Sequence, residues 1–212
     1  MAALLQKRAE MTRKKILEAA INDFSSTGPS ATTVEQIAGS AGVNKQRIYA
    51  YFGSKQGLFE AALAEVFSRV KLFSASALKE AAENPEHLSF IVLRSFFHVH
   101  RQQPHMWRLL AWANLDNSCC VGVLEGIRKE ENESLKRIFD SAVKQKLIME
   151  MTFENWLFTL LALSCFYYAN QRTLKYTLDS SISMECRPEL LAGDIARLFS
   201  PAKSAPPQYP EL

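Results

Sequence analysis

Glycine and proline are scarce in this chain of 212 residues, at eight each, and four of the prolines (Pro201, Pro206, Pro207, Pro210) crowd into the last twelve positions. Long stretches without either residue disfavour a sandwich or barrel built on many tight turns, and favour helices. The four cysteines (Cys119, Cys120, Cys165, Cys186) show no CxxC spacing. They indicate neither a disulfide framework nor a thiolate metal site, and adjacent Cys119 and Cys120 read as idle thiols in a reduced, cytoplasmic protein. His98, His100 and His105, with nearby Cys119, match no metal-ligand spacing. The longest apolar run, Trp156 to Ala169, falls short of the roughly 20 residues a membrane span needs and reads as a buried core helix. The opening Met-Ala-Ala-Leu-Leu is short, and its basic residues follow it, the reverse of a secretory leader. There is no internal repeat, no strand-like alternation, and no nucleophile elbow, glycine-rich phosphate loop or HExxH. The sequence therefore supports neither an enzyme nor a cofactor protein.

What is present is ordinary globular material, 48% apolar and 22% charged, long enough to bury a core. The charge is uneven. Residues 1–55 hold eight basic side chains (Lys7, Arg8, Arg13, Lys14, Lys15, Lys45, Arg47, Lys55) against four acids, a net of +4, while the rest of the chain nets −1. A basic head on a neutral body points to a polyanionic partner for the head.

The apolar spacing predicts an all-α protein. Ile16, Leu17, Ala20, Ile21 and Phe24 form one stripe over about 12–26, ended by the Ser-Ser-Thr-Gly-Pro-Ser run at 25–30. A short helix follows at 33–40, capped either by Thr32 with Glu35 or by Thr33 with Gln36. Gly42 can supply the positive φ of a tight turn, and Asn44 is a good N-cap for a second short helix to Phe52. A long helix is expected at 54–79, with others near 87–102, 104–115, 121–147, 153–173 and 188–199. These give a head over 1–53, a helical body over 54–199 and a disordered Pro-rich tail over 200–212.

Short helix, glycine turn, short helix is a helix-turn-helix on physical grounds. The second short helix turns Ile48 and Phe52 inward and exposes Lys45, Gln46, Arg47, Tyr49 and Ala50. Lys45, Gln46 and Arg47 can donate to base edges in a major groove, and arginine to guanine is the commonest specific pairing.

The run Thr33-Val-Glu-Gln-Ile-Ala-Gly-Ser-Ala-Gly-Val-Asn-Lys-Gln-Arg-Ile-Tyr-Ala-Tyr-Phe-Gly-Ser-Lys-Gln-Gly-Leu58 resembles the reader of the TetR family of bacterial repressors. Coinciding positions include Thr33, Ile37, Ala38, Ala41, Gly42, Val43, Tyr49, Tyr51, Phe52, Lys55 and Leu58. The resemblance covers about residues 10–65. It implies phosphate contacts for Thr33, Tyr49, Tyr51 and Lys55, with base reading by Lys45, Gln46 and Arg47. Two positions depart from the family pattern. Gln46 and Arg47 stand where smaller residues are usual, and Gly57 stands where a better helix former is expected.

The resemblance further implies a cytoplasmic homodimeric repressor on a palindromic double-stranded operator, released by a small-molecule effector held in the body. Trp156, Leu157, Leu160 and Leu161 help make segment 153–173 apolar nearly all round, so it needs covering on every side. Segment 121–147 carries Leu124, Ile127, Leu135 and Ile138 along one side. A four-helix bundle of these two segments across a two-fold axis is expected. Phe97, His98, Trp107, Trp112, Asn114, Tyr168 and Asn170 have the mixed aromatic and polar make-up of an effector pocket. The alternatives are a DNA-binding regulator without an effector and an activator of the same fold.

Overall fold

The computed structural model describes residues 2–70, 73–115, 119–177 and 188–201. The regular secondary structure of the described residues is entirely helical, with no strand among them, so the fold is all-α. Most of the expected tail, 202–212, and Cys186 lie outside them.

The chain forms two compact units, residues 1–70 with 103–128, and residues 71–102 with 129–212. This division by packing differs from the expected head and body boundary at residue 53. The helix after the reader and segment 103–128 belong to the unit that contains the reader.

In the first unit, α1 (Ala2–Ala31) begins ten residues earlier than the stripe at 12–26 predicts. It kinks at Gly28, whose φ is 84°. A Cβ there would lie 2.8 Å from the Trp112 ring, so glycine is required on two counts. Next come α2 (Val34–Ala41), α3 (Lys45–Phe52) and α4 (Lys55–Arg69). Segment 103–128 adds α7 (Pro104–Leu115) and a 3-10 turn, Cys119–Leu124. Helix α1 packs on α2, α4 and α7. Ile16, Ala20, Phe24, Ile37, Ile48, Leu58, Leu63 and Leu109 are all buried. Phe24 meets Phe59 edge-on with ring centroids 5.2 Å apart. His105 of α7 is hydrogen-bonded to Ser25 of α1 at 2.7 Å.

The expected long helix at 54–79 is two helices. Helix α4 stops at Arg69, and Val70 is extended (φ −90°, ψ 116°). Ser74 then caps α5 (Ala75–Glu83) by accepting from Ala77 N. The last carbonyls of α4 are satisfied from elsewhere in the unit: Arg128 donates to Phe67 O and Val70 O, and its guanidinium lies 5.1 Å from the Phe67 ring centroid. Arg69 bridges Glu65 of its own helix and Glu18 of α1.

The second unit holds α5, α6 (Leu88–Gln102), α8 (Lys129–Lys144), α9 (Phe153–Ala169), α10 (Gln171–Thr177) and α11 (Pro188–Arg197). The expected helix at 121–147 thus starts only at Lys129, after the 3-10 turn and further turns. The one expected at 153–173 is broken at Asn170, which caps α9. Trp156, fully buried, sits 4.9 Å from Phe139 by ring centroid and donates Nε1–H to Ser89 Oγ at 3.0 Å. Helix α6 packs on both α9 and α11.

Two further polar side chains share this core. His100 and Ser164 are buried and hydrogen-bonded at 3.0 Å. The Ser164 hydroxyl donates to Leu161 O at 2.9 Å, so its oxygen accepts from His100 Nε2–H. Burial pushes His100 down from 6.5 to about 3. The unfolded chain therefore takes up this proton below pH 6.5, while the folded chain resists it until about pH 3. Stability is complete above pH 6.5 and is lost as pH falls across that window, by about 1.4 kcal/mol per pH unit for a single proton. Urea titrations from pH 7 to pH 4 are expected to show this slope and His100→Gln to flatten it; an equal slope in the variant would remove His100 as its source.

Candidate nucleic-acid interface

Helices α2 and α3 have eight residues each, too few to persist alone. Their ends and inner faces are secured one by one. Thr33 caps α2 by accepting from Gln36 N at 3.1 Å. That settles the choice of cap, since Thr32 is buried beneath it and donates to Gly28 O at 2.7 Å. Because the Thr33 oxygen accepts, its hydroxyl hydrogen stays available to donate outward. Gly42 ends α2 at φ 64°, ψ 38°, and Val43 N returns to Ala38 O at 3.0 Å. Asn44 caps α3 by accepting from Gln46 N at 2.9 Å. A cap of this kind contributes about 1 kcal/mol, a large share of what so short a helix has.

Ile48 is completely buried and faces the unit core. Lys45, Gln46, Arg47 and Tyr49 are exposed on the opposite side, and Tyr51 is half-buried. Phe52 is half-buried under the Arg13 guanidinium, 5.2 Å from its ring centroid. The exposed side chains are not equivalent. Lys45 Nζ pairs with Glu35 at 3.0 Å. Hydrogen bonding within this pair holds the Glu35 carboxyl below its usual range and raises Lys45. Both groups are in open solvent, so the pair is weak and yields to a competing anion. The Gln46 and Arg47 side chains, by contrast, make no hydrogen bond or ion pair among the described residues.

Lys55 occupies an unexpected place. Its ammonium donates to Pro29 O at 2.8 Å and Thr32 O at 3.2 Å, tying the turn between α1 and α2 to the start of α4. Only one of its three N–H donors is left for a phosphate. Sequence periodicity offers no signal for such a bond between positions 23 to 26 residues apart.

Gly57 has a clear reason. Ser54 caps α4 by accepting from Gly57 N at 2.9 Å. A Cβ on Gly57 would lie 2.3 Å from the backbone oxygen of Phe52. The end of the reader helix thus rests directly on the first turn of α4.

Residues 16–62 match the family model described as bacterial regulatory proteins, tetR family. This segment is a DNA-binding region of the TetR type. The HTH-type transcriptional repressor NicS of Pseudomonas putida is 25% identical over 84% of both chains. The repressor SCO4008 of Streptomyces coelicolor is 32% identical over 50% of this chain and 52% of its own. The solved TetR-family regulator PfmR of Thermus thermophilus shares the fold at a TM-score of 0.62 and 19% identity, over 88% of this chain and 94% of that one. Residues 16–62 are thus a DNA-binding helix-turn-helix, and the relatives they resemble are transcriptional regulators. No described helix is long and apolar enough to cross a membrane.

The expected effector residues divide between the two units. Phe97, His98 and Tyr168 border one cavity of about 550 Å³ in the second unit. Trp107, Trp112 and Asn114 belong to the first. Trp112 packs against Gly28, and the Asn114 amide donates to Leu110 O of its own helix. The Asn170 amide is spent on Phe166 O at the end of α9.

The expected dimer residues need correction. Leu135, Trp156 and Leu160 have no exposed surface within one chain, so a partner cannot touch them. Ile138 and Leu161 are partly buried against the same core. Leu124 and Ile127 lie in the 119–128 turns of the first unit. Periodicity identified apolar positions correctly but could not say which the chain covers itself. Sequence reasoning missed the outward-facing apolar residues of α9, Phe158 (71% exposed) and Phe166 (58%), with Leu190 (49%) of α11 and Leu198 (68%) just beyond it. The near-uniform apolarity of 153–173 was the only hint of the two phenylalanines.

The fit at Gly57 generates a test. Replacing an interior helical glycine with alanine ordinarily stabilises by up to about 1 kcal/mol. Here the overlap with a backbone oxygen outweighs that gain. Gly57→Ala is expected to lower the urea midpoint and weaken DNA binding; a stabilised variant with unaltered binding would refute the close fit.

Proposed function

We propose that this regulator is a ligand-responsive repressor that binds a palindromic operator as a homodimer. The observation that carries the reading is the free, solvent-facing pair Gln46 and Arg47 at the start of a capped and buried-backed reader helix. Arg47 reads guanine and Gln46 reads the neighbouring base. Thr33, Tyr49, Tyr51 and the remaining Lys55 donor hold phosphates, and Lys45 joins when its pairing with Glu35 is exchanged for one with DNA.

The dimer is supported by the exposed apolar stripe of α9, where Phe158, Ala162, Phe166 and Ala169 recur every three to four residues, together with Leu190 of α11 and Leu198 just beyond it. The outer face of α8 is unsuited to the role, because Lys129, Glu130, Glu133, Lys136, Arg137 and Asp140 occupy it. Helices α9 and α11 of two copies therefore pair. A two-fold axis then sets two reader helices about 34–36 Å apart, one turn of DNA. The cavity beside Phe97, Arg101 and Tyr168 is of the size of a small-molecule site, and a ligand that prefers one reader spacing shifts the population away from the operator-bound form.

Selection from a random duplex pool is expected to recover a palindrome with half-sites about ten base pairs apart. Arg47→Ala should then cost roughly 1–3 kcal/mol and relax the preference at one base pair in each half-site. Equal weakening on every duplex would instead make Arg47 a phosphate contact. For the dimer, Phe158→Glu with Phe166→Glu is expected to convert the protein to a folded monomer in sedimentation velocity. A monomeric wild type, or a variant that stays dimeric, would refute the α9 interface.

A further inference from the structure

We infer that the N-terminal half of α1 is a second DNA-binding element, which grips phosphates flanking the sequence read by α3. The inference rests on the proposed reading of the chain as a specific DNA binder and adds a contact region outside the matched reader, residues 16–62.

Helix α1 runs unbroken from Ala2 into the packed part of the unit. Its first fully buried residue is Ile16, and no described side chain before it is buried. The described side chains between Leu4 and Lys15 therefore cover no core. Over this stretch Lys7, Arg8, Arg13, Lys14 and Lys15 face a single acid, Glu10. Among the described residues Lys7, Arg8, Lys14 and Lys15 make no ion pair, and Glu10 is engaged by Gln6. Elsewhere in the unit several carboxylates are matched: Glu18 and Glu65 to Arg69, and Glu35 to Lys45. The unbalanced positive charge is thus concentrated on an element whose described side chains before Ile16 are not buried, Arg13 alone being stacked on a ring.

The spacing arranges these charges. Lys7 and Lys14 are seven apart, as are Arg8 and Lys15, so each pair forms a row along the helix. Both rows lie on the half of α1 turned away from Ile16, Leu17, Ala20 and Phe24. At 1.5 Å per residue the stretch spans about 20 Å, or roughly six base pairs of duplex. Its root is secured beside the reader, because Arg13 stacks on Phe52, the last residue of α3. A polyanion already engaged by α3 is the surface such a stripe meets.

The test uses the full chain and a duplex selected by it from random DNA, prepared as the palindrome alone and with about eight extra base pairs on each side. The wild type is expected to bind the longer duplex roughly tenfold tighter. Lys7→Gln with Arg8→Gln should abolish that gain, keep the affinity for the short duplex, and flatten the salt slope on the long one by about 0.9 for each phosphate no longer neutralised. Lys7→Arg with Arg8→Lys should retain both gain and slope. Since both positions are exposed, the fold is expected to survive, with circular dichroism and melting as the check. A Gln variant that keeps the gain and the slope would overturn the inference while leaving the reader intact. A wild type that selects no sequence would overturn the proposed function, and the arm's role with it.

Discussion

Two helices of eight residues cannot hold a shape in water, because the backbone order they require exceeds what their few hydrogen bonds return. The reader of this protein exists only as a passenger on α1 and α4. Ile37 and Ile48, both completely buried, with Val34 and Ala38 beside Ile37, are what the two short helices contribute to the shared core. The rest of their surface is thereby left free for other uses. The solvent-facing Gln46 and Arg47, the hydroxyl of Thr33 and the ring of Tyr49 all follow from that one condition.

The supports around the reader are mostly backbone contacts. Lys55 spends two donors on carbonyls of the turn at 29–32. Phe52 O rests where Gly57 has no side chain, and Trp112 rests where Gly28 has none. Arg128 and Arg69 finish the far end of α4. Contacts of this kind leave little room for adjustment, because a backbone oxygen cannot rotate away as a side chain does. The orientation of the reader is consequently set from both ends of α4, with α7 adding the His105 to Ser25 bond on α1.

The second unit follows a different plan. Its core is aromatic, with Phe139, Phe153 and Trp156 in mutual contact, and its few buried polar atoms are used in pairs. Burial pushes the Cys165 thiol up to about 12, which leaves it protonated and unreactive at neutral pH. Large apolar side chains nonetheless remain outside on α9 and α11. An aromatic core that is otherwise closed, with phenylalanines left in solvent on one helix, is the pattern of a surface awaiting a partner.

Whatever depends on neighbours a few positions away could be read from the residues alone. The stripe of α1, the Thr33 and Asn44 caps, the Gly42 turn and the outward set Lys45, Gln46, Arg47 and Tyr49 are all local, since helical periodicity and capping act within about four residues. The tertiary structure alone decided the rest. It split the stretch 54–79, moved the start of α8 to Lys129, placed α7 with the reader, and buried Leu135, Trp156 and Leu160 while exposing Phe158 and Phe166. Each of these depends on segments far apart in the chain, which decide whether an apolar face is already covered and whether a carbonyl already has a donor. Pattern within one helix shows that a face must be covered; only the packed fold shows by what.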